Sequence, residues 1–337
     1  MSRYISLVMS AAVVFMVFSA CATVDPEQAK RQQEKSQKKL QVGQERKRVE
    51  QVFEEIHKRN DTIKRTPEWL KEAYSSVKIR KVSDVSKDEY ETFRQYADDG
   101  DVYLIVHPAY YAFFQQNKVA LSSPEDAKIL PSKNIVERFA EVYGAGDNIM
   151  NKLFLEQERL SRDFLEFMSH EKKLAILLLP KDYKNHMTYG VIPGLDEYAR
   201  YINEVTNMSE SLLYLESDEA WNGYVEGPEL DTLTAFLQGI GTRRVLLGGG
   251  YLAGRCVDNF YMSLRKRFNY EDIYFVPEIL AISPEDTLYG AESFLTAAGK
   301  IKIKSMIDYI SLYTEIQKRE DGKKPQIVRF PLYKVNL

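Results

Sequence analysis

Apolar residues come in five short runs, centred on Val102–Val106, Leu174–Leu179, Leu212–Leu215, Val245–Leu247 and Ile273–Val276. Uninterrupted apolar runs of this length predict strands buried on both faces. Between them, apolar positions recur at helical spacing over Asp88 to Ala97, Leu195 to Met208, Glu229 to Gly239 and Cys256 to Phe268. A longer helical region spans Asn134 to His170, with a break near Gly144 and Gly146. Thr66-Pro67 reads as an N-cap and first-turn proline opening a helix from Pro67 to Ser75. Asp98 to Asp101 predicts a turn. Pro284 to Glu315 predicts helix, and Gln326 to Val335 alternates like an edge strand, where Pro331 is tolerated. Strand and helix alternate along the chain. That order predicts a three-layer α/β/α domain around a mostly parallel sheet, with any ligand beyond the carboxyl ends of the strands.

The N-terminus has a different pattern. Arg3 precedes an apolar segment, Ile5 to Phe18, that is short for a membrane span and is followed by Phe18-Ser19-Ala20-Cys21. This resembles the lipobox of bacterial lipoproteins, with Phe18 where that pattern favours Leu. The resemblance implies a signal peptide over residues 1–20 and lipidation of Cys21 with palmitate-type chains. It also implies an anchor in the membrane, and Ala22 in place of Asp favours the outer membrane facing the periplasm. Residues 21–65 are rich in Gln, Glu, Lys and Arg and predict a helical or disordered tether. Residues 66–337 would form the α/β domain.

Composition narrows the classes. The chain has 337 residues, 44% of them apolar, and a net charge of -3, so neither general disorder nor a nucleic-acid partner is expected. The four histidines, His57, His107, His170 and His186, lack metal-ligand spacing, and there is no CxxC pair. No metal and no cofactor are expected. With Cys21 lipidated, Cys256 is left as the single free thiol.

Two chemistries compete around Arg243 to Phe260. Gly248-Gly249-Gly250-Tyr251 with Gly254 and Arg255 follows a predicted strand and precedes a predicted helix. A glycine loop there would cradle phosphate on free backbone N–H groups. The alternative is a nucleophilic Cys256 at the helix N-terminus. His107, ending a neighbouring strand, would be its base, and Glu216 or Asp218 would orient that base. Tyr110 is expected at the pocket mouth.

Leu230-Asp231-Thr232-Leu233, Gly239-Ile240-Gly241, Val245-Leu246-Leu247, Gly250 and Cys256-Val257 together resemble the isochorismatase-like cysteine hydrolases. In that family a similar helix leads to a strand, a glycine and then the nucleophilic cysteine. The resemblance covers about half the chain and implies strand order 3-2-1-4-5-6, counting from Val102–Val106. It implies a catalytic aspartate where this chain has His107. It also implies a lysine after the third strand, but no lysine occurs between Asn185 and Arg265. The expectation is therefore a lipid-anchored envelope protein whose isochorismatase-like domain is inactive and serves binding or assembly, with an envelope protein or an unidentified small molecule as partner. A cysteine-dependent hydrolase of amide, ester or C–O bonds, or a nucleotide/phosphate-binding module, are the alternatives. Any ligand is expected between His107 and the Gly248 to Cys256 stretch.

Overall fold

A computed structural model describes residues 26–62, 76–109, 149–181, 197–219, 222–252, 256–269, 272–281 and 326–330. The predicted helices Pro67–Ser75 and Pro284–Glu315, the first part of the Asn134–His170 helix, Pro331, and the site residues Cys21, Tyr110 and Arg255 lie outside them. The chain divides into two compact units, residues 1–48 and 49–337.

Helix α1 spans Pro26–Thr62, so the tether is helical here. The boundary between the units falls within it, at the point where Val49, Val52 and Phe53 bring the first cluster of apolar residues. No helix among the described residues is long and apolar enough to cross a membrane.

The second unit is built on a seven-stranded, all-parallel sheet. Its strands are β1 (Arg80–Lys81), β2 (Asp101–Val106), β3 (Ala175–Leu179), β4 (Leu212–Glu216), β5 (Arg244–Tyr251), β6 (Ile273–Ala281) and β7 (Gln326–Ile327). The order is β1-β4-β3-β2-β5-β6-β7. Six of these strands follow the expected sequence. The addition is β1, a two-residue strand on the β4 edge, too short and polar to leave an apolar signature.

Two helices cover one face: α3 (Ile149–His170) and α4 (Glu197–Val205). There Tyr103 of β2 packs on Phe164 of α3 at 5.0 Å, and Phe330 closes on both rings. The other face carries α2 (Tyr90–Tyr96), α5 (Gly227–Gly239) and α6 (Cys256–Leu264). Phe93 of α2 meets Phe236 of α5 edge-on at 5.5 Å, and Tyr261 of α6 lies 5.5 Å from Phe275 of β6. Tyr103 pairs through Leu246 with Tyr274, so it points away from Phe275. The period-two pleat thus separates the two helical layers.

Two strands run longer than their apolar runs suggest. The glycines after Leu247, expected as a loop, continue β5 to Tyr251. Likewise β6 continues through Pro277-Glu278 to Ala281, where a stop was expected. The pairing register shifts between Leu247↔Phe275 and Gly249↔Leu280, leaving surplus residues on β6. That bulge accommodates Pro277, which has no N–H for a regular ladder.

Candidate functional site: the carboxyl ends of β2 and β5

The chain leaves β2 for α3 on one face and leaves β5 for α6 on the other. The strand ends part at this point, and β2 and β5 lie side by side, with Val106 opposite Gly249. His107 and the Gly248 to Cys256 stretch therefore come together as expected.

Gly248, Gly249 and Gly250 are strand and not loop, and Gly254 and Arg255 lie outside the described residues. The three glycines sit inside the β5 ladder, buried, and their missing side chains serve close packing. Gly249 has φ +83, and a Cβ there would stand 2.4 Å from the Val106 carbonyl oxygen. A Cβ at Gly250 would stand 2.5 Å from Cys256 Sγ. Tyr251 is buried at the end of the same strand.

Cys256 opens α6, as the sequence suggests, but its thiol is enclosed and 4% exposed. Sγ accepts a hydrogen bond from the Tyr251 N–H at 3.2 Å. The segment following β4 crosses over the helix start, so that a Cβ on Gly223 would collide with the Cys256 carbonyl. Burial pushes the thiol up to about 11, against the opposing pull of the Tyr251 hydrogen bond. A helix N-terminus normally favours thiolate, but here desolvation wins.

His107 ends β2 in the left-handed region, with φ 43, and Ala109 two residues on has φ 54. Such values cost of order 1–2 kcal/mol at a non-glycine residue and persist only where surroundings enforce them. Here the His107 N–H donates to the Leu178 carbonyl at 2.8 Å, and the Tyr198 hydroxyl donates to the Pro108 carbonyl at 3.0 Å. Burial holds the imidazole near pKa 3, so it is neutral in the folded chain. Nε2 lies 3.2 Å from Ser217 Oγ. Ser217 donates its own proton to the Glu219 carbonyl at 2.6 Å. The hydroxyl then accepts from His107, which assigns the proton to Nε2. A nitrogen already carrying a proton cannot deprotonate Ser217, so these two residues form no nucleophile–base pair.

The orienting role expected of Glu216 falls to Ser217. Glu216 and Tyr214 point to the β1 edge, where Lys81 Nζ approaches Glu216 Oε2 at 3.4 Å and lies over the Tyr214 ring. One residue on, just past the end of β4, Ser217 is the side chain that reaches His107. Asp218 donates its N–H to the Tyr224 carbonyl. Its carboxyl is shifted upward by partial burial and the nearby Glu226.

Glu158, absent from the sequence reading, completes the centre. It reaches from α3 to the ends of β2 and β5, accepting hydrogen bonds from the Ala109 N–H and the Tyr251 side chain. It is 3% exposed, and its Oε2 has no hydrogen-bond partner among the described residues. Burial raises it to about 8, outweighing those two bonds, so it is largely protonated at neutral pH. Tyr201 of α4 lies close enough to feel its charge, and burial raises that phenol well above its usual value. A signal for Glu158 did exist. It occupies an apolar register position in the series Phe154, Glu158, Ser161, Leu165, Met168, where a carboxylate is out of place.

Among the described residues, no group of three or more His, Cys, Asp or Glu is placed to hold a metal ion. Chemically, the centre is a hydrogen-bonded closure of the switch point by groups held neutral. No protein family, curated protein or solved structure matches the chain.

Proposed function

We propose that this chain is a lipid-anchored envelope protein whose α/β domain binds or assembles with a partner and does not use Cys256 as a nucleophile. One observation carries the second half of that reading. The thiol is buried, accepts the Tyr251 N–H and is raised to about 11. A nucleophilic cysteine needs an accessible thiolate near neutral pH. The anchor half rests on the lipobox-like Phe18-Ser19-Ala20-Cys21 behind an apolar segment.

Thiol labelling of the folded full chain with an aromatic disulfide is the direct test. Cys256 is expected to label only as the protein unfolds. Fast labelling of the native state at neutral pH would favour the cysteine-hydrolase alternative instead. The anchor is tested separately by metabolic incorporation of an alkynyl fatty acid, expected in the wild type and absent from Cys21→Ser.

A further inference from the structure

Helix α1 has a local conflict in its charge pattern. Between Lys30 and Arg48, eight lysines and arginines stand against two glutamates. With 3.6 residues per turn, Arg31, Lys35, Lys38 and Lys39 fall within an arc of about 100° on one side of the helix. All four are exposed. Lys35 has Arg31 four residues before it, Lys38 three after and Lys39 four after, so its neighbours along this face are all cations. Glu27 pairs with Arg31 at 3.0 Å and Glu34 stands four residues before Lys38, so of the four only Lys35 and Lys39 have no acidic residue three or four positions away. Like charges at these spacings destabilise a solvated helix by roughly 0.2–0.5 kcal/mol per pair. A sequence selected only to be a soluble spacer would interleave its glutamates here, as α1 does further on with Glu50, Glu54 and Glu55.

We propose that this basic face of α1 docks on an anionic phospholipid surface. Charge complementarity favours such a surface, since each Lys or Arg held close to an anionic bilayer contributes about 1 kcal/mol. Position in the chain favours it too. The helix begins at Pro26, five residues after Cys21 and close behind the apolar segment Ile5 to Phe18. At about 3.6 Å per residue the five residues from Cys21 reach no more than about 18 Å and the eight from Phe18 no more than about 29 Å, so a chain held at either point keeps the start of the stripe near the bilayer. Nucleic acid is the poorer fit, because no aromatic residue occurs from Pro26 to Val52 to stack on bases. The inference rests on membrane retention of the N-terminus and holds whether acyl chains on Cys21 or the apolar segment itself provides it.

The test uses the full chain reconstituted in vesicles of phosphatidylcholine alone or of phosphatidylcholine with phosphatidylglycerol. Amide hydrogen exchange is followed across residues 30–48. Exchange in the anionic vesicles is expected to be slower by about fivefold or more, with the difference erased by salt of ~0.5 M. A Lys35→Glu/Lys38→Glu/Lys39→Glu variant is expected to exchange alike in both vesicles, while the α/β domain keeps its wild-type exchange pattern. Equal wild-type exchange in the two vesicles would overturn the proposal. So would protection by a DNA duplex added to the neutral vesicles but none by phosphatidylglycerol. Failure of fatty-acid labelling at Cys21 would leave this result standing, so the two ideas fail separately.

Discussion

The two ends of the β2–β5 pair are built on opposite principles. At the amino end, oppositely charged side chains pair at or near the surface. Arg244 holds Asp101 through two hydrogen bonds, one of them 2.6 Å from Nε to Oδ1, and Arg243 pairs with Asp99 at 2.8 Å. At the carboxyl end, His107, Glu158 and Cys256 are all buried and held uncharged at neutral pH, and the left-handed residues His107 and Ala109 are buried, whereas the left-handed Asp99 at the amino end is exposed. The amino end is ordinary surface. The carboxyl end is where parallel sheets keep their sites, and here strain and desolvation are spent on closing it.

The largest expected effect is on the pH dependence of stability, because the carboxyl end carries two groups that burial shifts in opposite directions across the range from pH 3 to 8. His107 is lowered from 6.5 to about 3 by burial. Its contribution is present above pH 6.5 and lost as pH falls toward 3, because the unfolded chain takes up the proton first. Glu158 is raised from 4.5 to about 8 by burial. Its contribution is present below pH 4.5 and lost as pH rises toward 8, because the unfolded chain releases the proton first. The two slopes oppose each other between pH 4.5 and 6.5. The wild type should therefore show a stability plateau there and fall away on either side. Outside the plateau each limb covers about 1.5 pH units and is worth of order 2 kcal/mol. Glu158→Gln keeps the shape and should abolish the alkaline limb, gaining roughly 4 kcal/mol over wild type at pH 8 while matching it near pH 4.5. Chemical denaturation across pH 4–9 checks this, and an unchanged alkaline limb in Glu158→Gln would mean that another group titrates.

Next in size is a packing effect unique to this end. Gly250→Ala puts a methyl 2.5 Å from Cys256 Sγ. The expected loss is about 2–3 kcal/mol, the range for overpacking a dense core. Removing the sulfur should restore much of it, so Gly250→Ala in a Cys256→Ala background should cost about 1 kcal/mol or more less than in the wild type. Additive losses would mean that the Val106 carbonyl, 3.0 Å away, sets the cost rather than the thiol.

How much of this could be read from the sequence divides along the same line. The sheet order and the meeting of His107 with the Gly248–Cys256 stretch followed from apolar runs, strand–helix alternation and a family resemblance. The residues that close the site did not. The triple glycine looks the same in sequence whether it loops around a ligand or lets two strands and a thiol approach. Only the three-dimensional neighbours of the missing Cβ atoms separate the two. The sequence points to Glu216 or Asp218 beside His107, because a carboxylate is the commoner partner of histidine. Glu216, the last residue of β4, pairs with Lys81 of the edge strand, while Ser217, one residue past the strand end, reaches His107. Glu158 was readable as a carboxyl in an apolar register, yet its partners Ala109 and Tyr251 lie far away in the chain.

The smallest effect belongs to the amino end and tests whether the comparison holds. Asp101 and Arg244 meet in a two-pronged geometry, with the Arg244 guanidinium also lying over the Tyr274 ring at 5.6 Å. Drawn on a page, that looks stronger than the His107–Ser217 contact. Yet the Arg244 side chain is 43% exposed, and water and salt screen what it gains. A double-mutant cycle on Asp101→Ala and Arg244→Ala should give a coupling of about 1 kcal/mol or less, shrinking further in ~0.5 M salt. The comparison turns on this number. If the coupling exceeds about 2 kcal/mol and resists salt, the amino end is a locked centre too. The contrast between a solvated end and a desolvated one would then have to be given up.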